Sequence, residues 1–286
     1  MKFLDTVTIS KIANLRLRVK SVVEGSLAGL HSSSLKGHSL EFAQHREYSP
    51  GDELRRIDWK VFGRSDRFFI KQYQDETNLR AHIVLDASGS MRFAAEGRET
   101  KLSYAATLAA SLSYLLLRQG DAVGLSVFDE TFRFHVPPSH QLSHLSTLIG
   151  KLENTSAGGD TDIVAVLRDM GQHIRRRSLV IVISDLLGDD AGVIKALKYF
   201  RFRHHEVIVL QVLDPHEIRF PYDGEHAFVH LERKEQVFAD GEAVAREYRR
   251  IFGRFLAGYK SGFRQAGIDY RMVTTDMPFE SALCLK

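Results

Sequence analysis

The stretch "HIVLDASGS", residues 82–90, joins a short apolar run to a group of small polar residues. The apolar run at residues 82–85 is typical of a buried β-strand, and it ends in a carboxylate. Asp86, Ser88 and Ser90 occupy alternate positions, so one carboxylate and two hydroxyl groups lie close together at the end of the strand. Aspartate, serine and glycine are also the residues that turns use. The stretch therefore indicates either an ordinary turn or a binding site.

After this stretch, apolar strands alternate with helical segments along the chain. Residues 101–118 carry apolar side chains at helical spacing, and residues 179–183 are so apolar that both faces of that strand must be covered. The same patterns predict further strands at residues 122–128, 132–136, 206–213, 228–231 and 270–273. They predict further helices at residues 142–152, 163–174, 191–202 and 244–265. This alternation predicts an α/β fold with an open, mostly parallel sheet and helices on both faces.

The segment before residue 79 has a different pattern. Residues 11–25 are typical of an amphipathic helix, and residues 57–62 and 68–73 are candidate strands. Trp59, the single tryptophan, is expected to be a buried anchor for this segment. The sequence therefore predicts an N-terminal α+β extension at residues 1–78, packed on a main domain at residues 79–286.

The composition excludes several classes of protein. The chain has 286 residues with a single cysteine, Cys284, so no disulfide framework and no thiolate metal site can form within it. Its net charge of +3 is too small to predict nucleic-acid binding, and only the basic stretch at residues 11–20 favours it. The longest uncharged stretch, residues 102–117, is shorter than the ~20 residues of a membrane span. The N-terminal residues include Asp5 and lack the continuous apolar core of a secretion signal. We therefore expect a cytoplasmic protein without a transmembrane segment.

Two further polar segments are expected near the end of the first strand. "GGDTDI", residues 158–163, opens a helix and contains Thr161, and "ISDLL", residues 183–187, contains Asp185. Each segment alone is typical of a helix cap or a turn. Ligands bind at the carboxyl ends of parallel strands, so the segments are expected to converge there. The predicted site consists of Asp86, Ser88, Ser90, Thr161 and Asp185. These are all oxygen ligands, which suit Mg²⁺ best, with Mn²⁺ or Ca²⁺ as alternatives.

The order of these residues resembles a known domain. D-x-S-x-S after the first strand, then a threonine in a glycine-rich loop, then an aspartate after a core strand, resembles the metal-ion-dependent adhesion site of von Willebrand factor A domains. The resemblance implies a Rossmann-like fold for the main domain. It also implies that the hydroxyl groups of Ser88 and Ser90 bind the metal, that Thr161 binds directly or through water, and that Asp86 and Asp185 mostly hold metal-bound waters. One position would stay open for a carboxylate from a partner.

A second resemblance concerns the segment upstream of the main domain. The run from "GHSLEFAQHREYSPGDELRRIDWK" to "QDE", residues 37–76, resembles the signature of the bacterial family catalogued as domain of unknown function 58. Members of that family carry a von Willebrand factor A-like domain behind this segment. The family resemblance implies a protein partner, a MoxR-type AAA+ ATPase.

Charged residues are dense within the same segment. Arg46, Glu53, Arg55 and Arg56 are candidates for a docking surface for the partner. The alternative is a salt-bridged surface that holds the extension onto the main domain. The sequence leaves both interpretations open.

Two functions from different classes fit the predicted site. The favoured one is a non-enzymatic, metal-dependent protein-interaction module that binds a partner carboxylate and acts as an adaptor or co-chaperone of the ATPase. The alternative is a Mg²⁺-dependent hydrolase or phosphatase that uses the same site. Phosphatases of the haloacid dehalogenase type have D-x-D at this strand end, whereas Ser88 occupies the third position here. No histidine or lysine is evidently placed for acid–base catalysis, which favours the interaction module.

Overall fold

The described part of the chain forms two separate units. The computed structural model describes residues 40–47, 59–65, 67–75, 79–232 and 235–283. Of these, the residues before 80 form a small unit, and those from Arg80 onward form a large one. The helix predicted at residues 11–25 lies outside the described residues. The predicted division of the chain into residues 1–78 and 79–286 therefore stays a prediction.

The small unit contains a two-stranded antiparallel sheet. Strand β1 (Leu40–Glu47) pairs with strand β2 (Phe69–Asp75), and a bulge interrupts the register of β1. Helix α1 (Trp59–Ser65) lies between these strands in the chain. Strand β2 agrees with the strand predicted at residues 68–73. The strand predicted at residues 57–62 is wrong, because the structure has α1 there.

An aromatic cluster explains why this segment is helical. The rings of Trp59 and Phe62 pack edge-to-face with their centroids 6.1 Å apart, and Phe62 stacks on Phe68 at 4.4 Å. Residues three apart share one face of a helix but lie on opposite faces of a strand, so the cluster requires the helix. Trp59 is nevertheless 63% exposed. The expectation that Trp59 is a buried anchor is therefore wrong.

The large unit is built on a six-stranded sheet with a separate hairpin. The strands of the sheet and the hairpin are, in chain order, β3 (Arg80–Asp86), β4 (Ala122–Phe128), β5 (Phe132–Ser139), β6 (Leu179–Ser184), β7 (Glu206–Leu213), β8 (Glu225–Val229), β9 (Gln236–Asp240) and β10 (Asp269–Thr274). The sheet order is β10-β7-β6-β3-β4-β5, and only β5 runs antiparallel to its neighbour. The predicted open, mostly parallel sheet is confirmed. The edge strand predicted at residues 228–231 is wrong in its placement, because β8 pairs with β9 in a hairpin outside the sheet.

Helices cover both faces of the sheet. They are α2 (Lys101–Arg118), α3 (His144–Glu153), α4 (Ile163–His173), α5 (Asp190–Phe202), α6 (Pro215–Arg219), α7 (Gly241–Ala266) and α8 (Phe279–Leu283). Helix α2 packs on β3, β4, β6 and β7, and α3 and α8 pack on α2. Helices α4, α5 and α7 share the core on the other face with alternate strand residues such as Val84, Val182 and Val209.

Helix α2 shows how the local sequence fixes this arrangement. Thr100 caps its N-terminus by accepting a hydrogen bond from the amide of Ser103. Gly120, with φ of +88°, follows its C-terminus in a conformation that favours glycine. The helix is buried along nearly its whole length because the sheet lies on one side of it and two helices on another. The uncharged stretch at residues 102–117 is therefore typical of a core helix. Among the helices in the described ranges, none combines the length and apolar character that a membrane span requires.

The strand order creates a crevice in the middle of the sheet. From β3 the chain moves outward through β4 to β5, and then crosses back to place β6 on the other side of β3. The direction of winding therefore reverses between β3 and β6. This topological switch point is where open α/β sheets bind their ligands, at the carboxyl ends of the strands. Asp86 ends β3, and Asp185 directly follows β6.

Candidate functional site

Backbone hydrogen bonds hold two of the three predicted loops together. The amide of Gly89 donates to the carbonyl of Gly159 at 2.9 Å, and the amide of Gly158 donates to the carbonyl of Ala87 at 2.9 Å. Gly159 has φ of +77°, which a residue with a side chain rarely adopts. Gly159 is therefore needed to bring the loop of Thr161 against the end of β3.

Arg133 of β5 fixes the same two loops from outside. Its guanidinium group donates to the carbonyl oxygens of Ala87 at 3.1 Å, Gly158 at 2.7 Å and Ser156 at 2.5 Å. Its Nε donates to Asp129 at 2.6 Å, which orients the side chain. No local sequence pattern indicates this role, because Arg133 lies between 23 and 46 residues from the carbonyls that it binds.

The first three predicted residues form one buried polar group. Asp86, Ser88 and Ser90 are 1%, 0% and 9% exposed. The Asp86 carboxylate accepts hydrogen bonds from the Ser88 amide at 2.8 Å and from the Ser184 hydroxyl at 2.6 Å. The hydroxyl oxygens of Ser88 and Ser90 lie 3.1 Å apart. The stretch makes a turn, as its composition indicates, and it also buries two hydroxyl groups beside a carboxylate.

Burial makes the charge on Asp86 unfavourable. Removal from water raises the pKa of Asp86 to about 7, and the negative charge of Asp185 contributes to the same rise. Hydrogen bonds from Ser184 and Ser88 act in the opposite direction. Within the part of the chain that the structure describes, no positive charge offsets the burial of Asp86, and a cation bound beside it would supply one.

Thr161 has a buried hydroxyl group that no described residue satisfies. Its Oγ1 atom is inaccessible to solvent and has no hydrogen-bond partner among the described residues. A buried polar atom without a partner costs about 1–3 kcal/mol, so it requires an explanation. Thr161 is not the cap of α4, because Asp162 accepts the hydrogen bond from the Ala165 amide. Its hydroxyl is thus available as a ligand.

The change Thr161→Val tests this hydroxyl directly. Valine keeps the shape and removes the unpaired oxygen, so the free energy of unfolding without metal is expected to stay the same or rise. The stabilisation by added Mg²⁺ is expected to fall. Chemical denaturation with and without Mg²⁺ measures both effects.

Thr107→Val is the matched control, since the buried Thr107 hydroxyl donates to the Ser103 carbonyl at 3.0 Å. The control is expected to lose about 1 kcal/mol in both conditions. An equal loss for Thr161→Val, independent of Mg²⁺, would show that its hydroxyl is satisfied.

Asp185 is held by a buried lysine that the sequence did not single out. Lys101, at the start of α2, is 0% exposed. Its ammonium group lies 2.8 Å from Asp185 Oδ2 and 2.6 Å from Glu217 Oε1. The second oxygen of Asp185 accepts the Leu187 amide at 3.1 Å. Burial alone would lower the pKa of Lys101, but the charges of Asp185 and Glu217 outweigh it and raise that pKa above its ordinary value.

A further carboxylate, Glu232, reaches the site from the β8–β9 hairpin. Its Oε1 accepts a hydrogen bond from the Ser90 amide at 3.4 Å. Burial raises the pKa of Glu232, and a hydrogen bond with the Asp160 carboxyl group raises it further. Asp160 directly precedes Thr161, and its Oδ1 accepts the Thr161 amide at 3.1 Å. The sequence interpretation missed both residues.

These residues fit a hard divalent cation. The buried hydroxyl of Thr161 and the hydroxyl pair of Ser88 and Ser90 offer oxygen ligands, which Mg²⁺ prefers. No three His, Cys, Asp or Glu side chains come together as a metal cluster within the described residues. A cation here would therefore depend on hydroxyl groups. Asp185 already binds Lys101, so its remaining lone pairs suit a metal-bound water.

The structure does not test the four residues predicted to bind a partner. Glu53, Arg55 and Arg56 lie outside the described residues. Arg46 lies in β1, where its backbone pairs with Ile70 of β2. The docking surface therefore stays a prediction.

The strand order and the polar crevice define the large unit as a von Willebrand factor A-like α/β domain. The whole chain belongs to the family described as "Protein of unknown function DUF58", whose model matches residues 44–255.

Related sequences come from bacteria. An uncharacterized protein of Mycobacterium tuberculosis, Rv1480, is 29% identical over 224 residues, which cover 77% of this chain and 70% of that protein. The uncharacterized protein YeaD of Bacillus subtilis is 27% identical over 115 residues, or 38% of this chain and 27% of that protein.

Solved structures show distant likeness. BatB from Bacteroides thetaiotaomicron has a TM-score of 0.45 and 18% identity, covering 72% of this chain and 95% of that one. The SpRpn10 VWA domain has a TM-score of 0.42 and 7% identity, covering 72% and 93%.

Proposed function

We propose that this protein is a non-enzymatic protein-interaction module that binds a carboxylate of its partner through a Mg²⁺ ion. The family and the fold suggest an interaction module, and the site supplies the chemistry for the metal-dependent step. The Mg²⁺ would be held by Ser88, Ser90 and Thr161, with Asp86 and Asp185 binding its waters; Mn²⁺ or Ca²⁺ are alternatives. When bound, the cation attracts an incoming Asp or Glu side chain.

The observation that carries this proposal is the Thr161 hydroxyl, which is buried beside the loop of Ser88 and Ser90 and has no hydrogen-bond partner among the described residues. Asp86 adds a buried carboxylate whose charge nothing in the site offsets completely. Lys101, the lysine bound to Asp185, is locked between two carboxylates and is fully buried. It is therefore poorly placed to exchange protons with a substrate, which favours binding over hydrolysis.

The partner in this proposal is a MoxR-type AAA+ ATPase, for which the protein would act as an adaptor or co-chaperone in the cytoplasm. The family resemblance supports this partner, and the charged residues Arg46, Glu53, Arg55 and Arg56 would contribute to docking. An acidic side chain of the ATPase would then complete the coordination of the cation.

The joint change Ser88→Ala and Ser90→Ala tests the proposal. It removes both hydroxyl groups together, so neither is left without the other. Binding to the purified ATPase, measured in Mg²⁺ with a label on this protein, is expected to weaken at least tenfold. Binding of the unchanged protein is expected to weaken similarly when the divalent cation is removed by a chelator.

Ser113→Ala is the matched control, because the Ser113 hydroxyl is buried in α2 and donates to the carbonyl of Ala109 in the same helix at 2.7 Å. The control is expected to bind normally. A binding affinity that neither the chelator nor the joint serine change lowers would contradict a metal-dependent interface. Mg²⁺-dependent cleavage of para-nitrophenyl phosphate that requires Asp86 would favour the hydrolase instead.

A further inference from the structure

The turn of the β8–β9 hairpin lies directly on the loop that carries the predicted metal ligands. A Cβ atom at Gly89 would lie 2.8 Å from the Leu231 carbonyl oxygen and 3.0 Å from the Glu232 side chain. Gly89 therefore allows a close approach that any larger residue would prevent. At this approach the Ser90 amide donates to Glu232, although the two residues are 142 positions apart in the chain.

Aromatic packing fixes the hairpin in this place. Phe228 of β8 stacks on Phe220 with ring centroids 5.4 Å apart, and it packs edge-to-face on Tyr222 at 5.6 Å. Phe220 in turn stacks on Tyr248 of α7 at 4.3 Å. The hairpin is thus held by aromatic packing on Phe220 and Tyr222, independently of the Glu232 contact.

Glu232 lies among other acidic groups. Its carboxyl group is in hydrogen-bonding contact with that of Asp160, and the negative charge of Asp185 also acts on it. Two carboxylates in contact repel each other when both are ionised. A divalent cation held at the hydroxyl groups of the site would attract the carboxylate of Glu232.

We propose that Glu232 is a ligand of the cation bound at Asp86, Ser88, Ser90 and Thr161, supplied by the chain itself in the position that a partner carboxylate would take. This inference rests on the proposed function. The Ser90–Glu232 hydrogen bond is long at 3.4 Å, and a long bond is weak, so a competing carboxylate can replace it. In the free protein, Glu232 then occupies the coordination position that a partner carboxylate would take. The apparent affinity for a partner is then the intrinsic affinity multiplied by the fraction of molecules in which Glu232 is released.

The change Glu232→Gln tests this with Mn²⁺ as the probe metal. Mn²⁺ speeds the relaxation of exchangeable water protons, so the signal counts the coordination positions that hold water. Glu232→Gln is expected to open one such position and to weaken Mn²⁺ binding about tenfold, since it loses one charged ligand. Sodium acetate is expected to lower the water signal of Glu232→Gln at about tenfold lower concentration than that of the unchanged protein.

Glu225→Gln is the matched control, because Glu225 is an exposed residue of β8 in the same hairpin. The Glu225→Gln change removes the same charge as Glu232→Gln. It is expected to leave the water signal, the Mn²⁺ affinity and the acetate response unchanged. Glu232→Gln is also expected to unfold no earlier than the unchanged protein without metal, since it removes a contact between carboxyl groups.

The outcomes separate this inference from the proposed function. Mn²⁺ binding that requires Asp86 but is identical in Glu232→Gln and the unchanged protein would overturn the role of Glu232 alone. An Asp86→Asn protein that binds Mn²⁺ as tightly as the unchanged one would overturn both, because the cation would then lie elsewhere.

Discussion

Replacement of Lys101 by methionine is expected to lower the free energy of unfolding by about 3–5 kcal/mol, because it leaves buried carboxylates without their cation. Methionine fills nearly the same volume, so the loss reports on charge and not on packing. Asp185 and Glu217 have side chains that are 2% and 13% exposed, and both lie within 3 Å of the lysine. Neither can recover full hydration in place. Urea denaturation at neutral pH measures the loss.

Two variants make this result specific. Lys151→Met in α3 removes an exposed lysine, and it is expected to change the free energy of unfolding by less than about 1 kcal/mol. Glu217→Gln added to Lys101→Met removes one of the unpaired charges and is expected to recover part of the stability. A loss below about 1 kcal/mol for Lys101→Met alone would show that these carboxylates have other compensation. Mg²⁺ is expected to stabilise Lys101→Met more than the unchanged protein, because it adds positive charge near Asp185.

The second large effect is expected for Asp86→Asn, which should abolish stabilisation by Mg²⁺. A ligand of the folded state at a hundred times its dissociation constant adds about 2.7 kcal/mol, and thermal unfolding of the metal-stripped protein in a Mg²⁺ or Mn²⁺ titration measures it. Asparagine is preferable to alanine here. Its amide can still bond to the Ser88 amide and the Ser184 hydroxyl, which alanine would leave unsatisfied.

The titration of Asp86 makes the stability of the metal-free protein depend on pH in a defined direction. Its pKa in the folded protein is raised to about 7 from an ordinary value of 3.8, so the folded state holds the proton more tightly than the unfolded state. The stability of the metal-free protein therefore falls as the pH rises from about 4 to about 7. Mg²⁺ competes with that proton, so the gain from Mg²⁺ grows as the pH rises through about 7. Asp86→Asn is expected to show neither trend.

Asp223→Asn is the matched control for the same charge change, since Asp223 is exposed in the loop before β8. It is expected to keep the full Mg²⁺ response. A Mg²⁺ response that persists in Asp86→Asn would place the cation elsewhere. The absence of any response in the unchanged protein would leave the cluster as a structural turn, or as a site that needs its partner to hold the ion.

Much of the main fold was predictable because its signals are local. The apolar runs at β3 and β6 and the helical spacing of α2 depend on neighbouring residues, and the structure agrees with each of them. The errors lie where contacts between segments decide. Helix α1 depends on the packing of Phe62 on Phe68, and β8 depends on a pairing with β9 that its own few residues do not specify.

Sequence patterns were sufficient to predict the α/β class, the carboxylate and hydroxyl groups at the end of the first strand, and the loops expected to meet them. These follow from alternation and spacing within short segments. The contacts that the charged groups of the site make are visible only in the folded structure. Lys101 meets Asp185 across 84 residues, and Glu232 meets Ser90 across 142. Ion pairs and hydrogen bonds between such distant segments form only when the sheet brings them to one edge, and no local pattern encodes them.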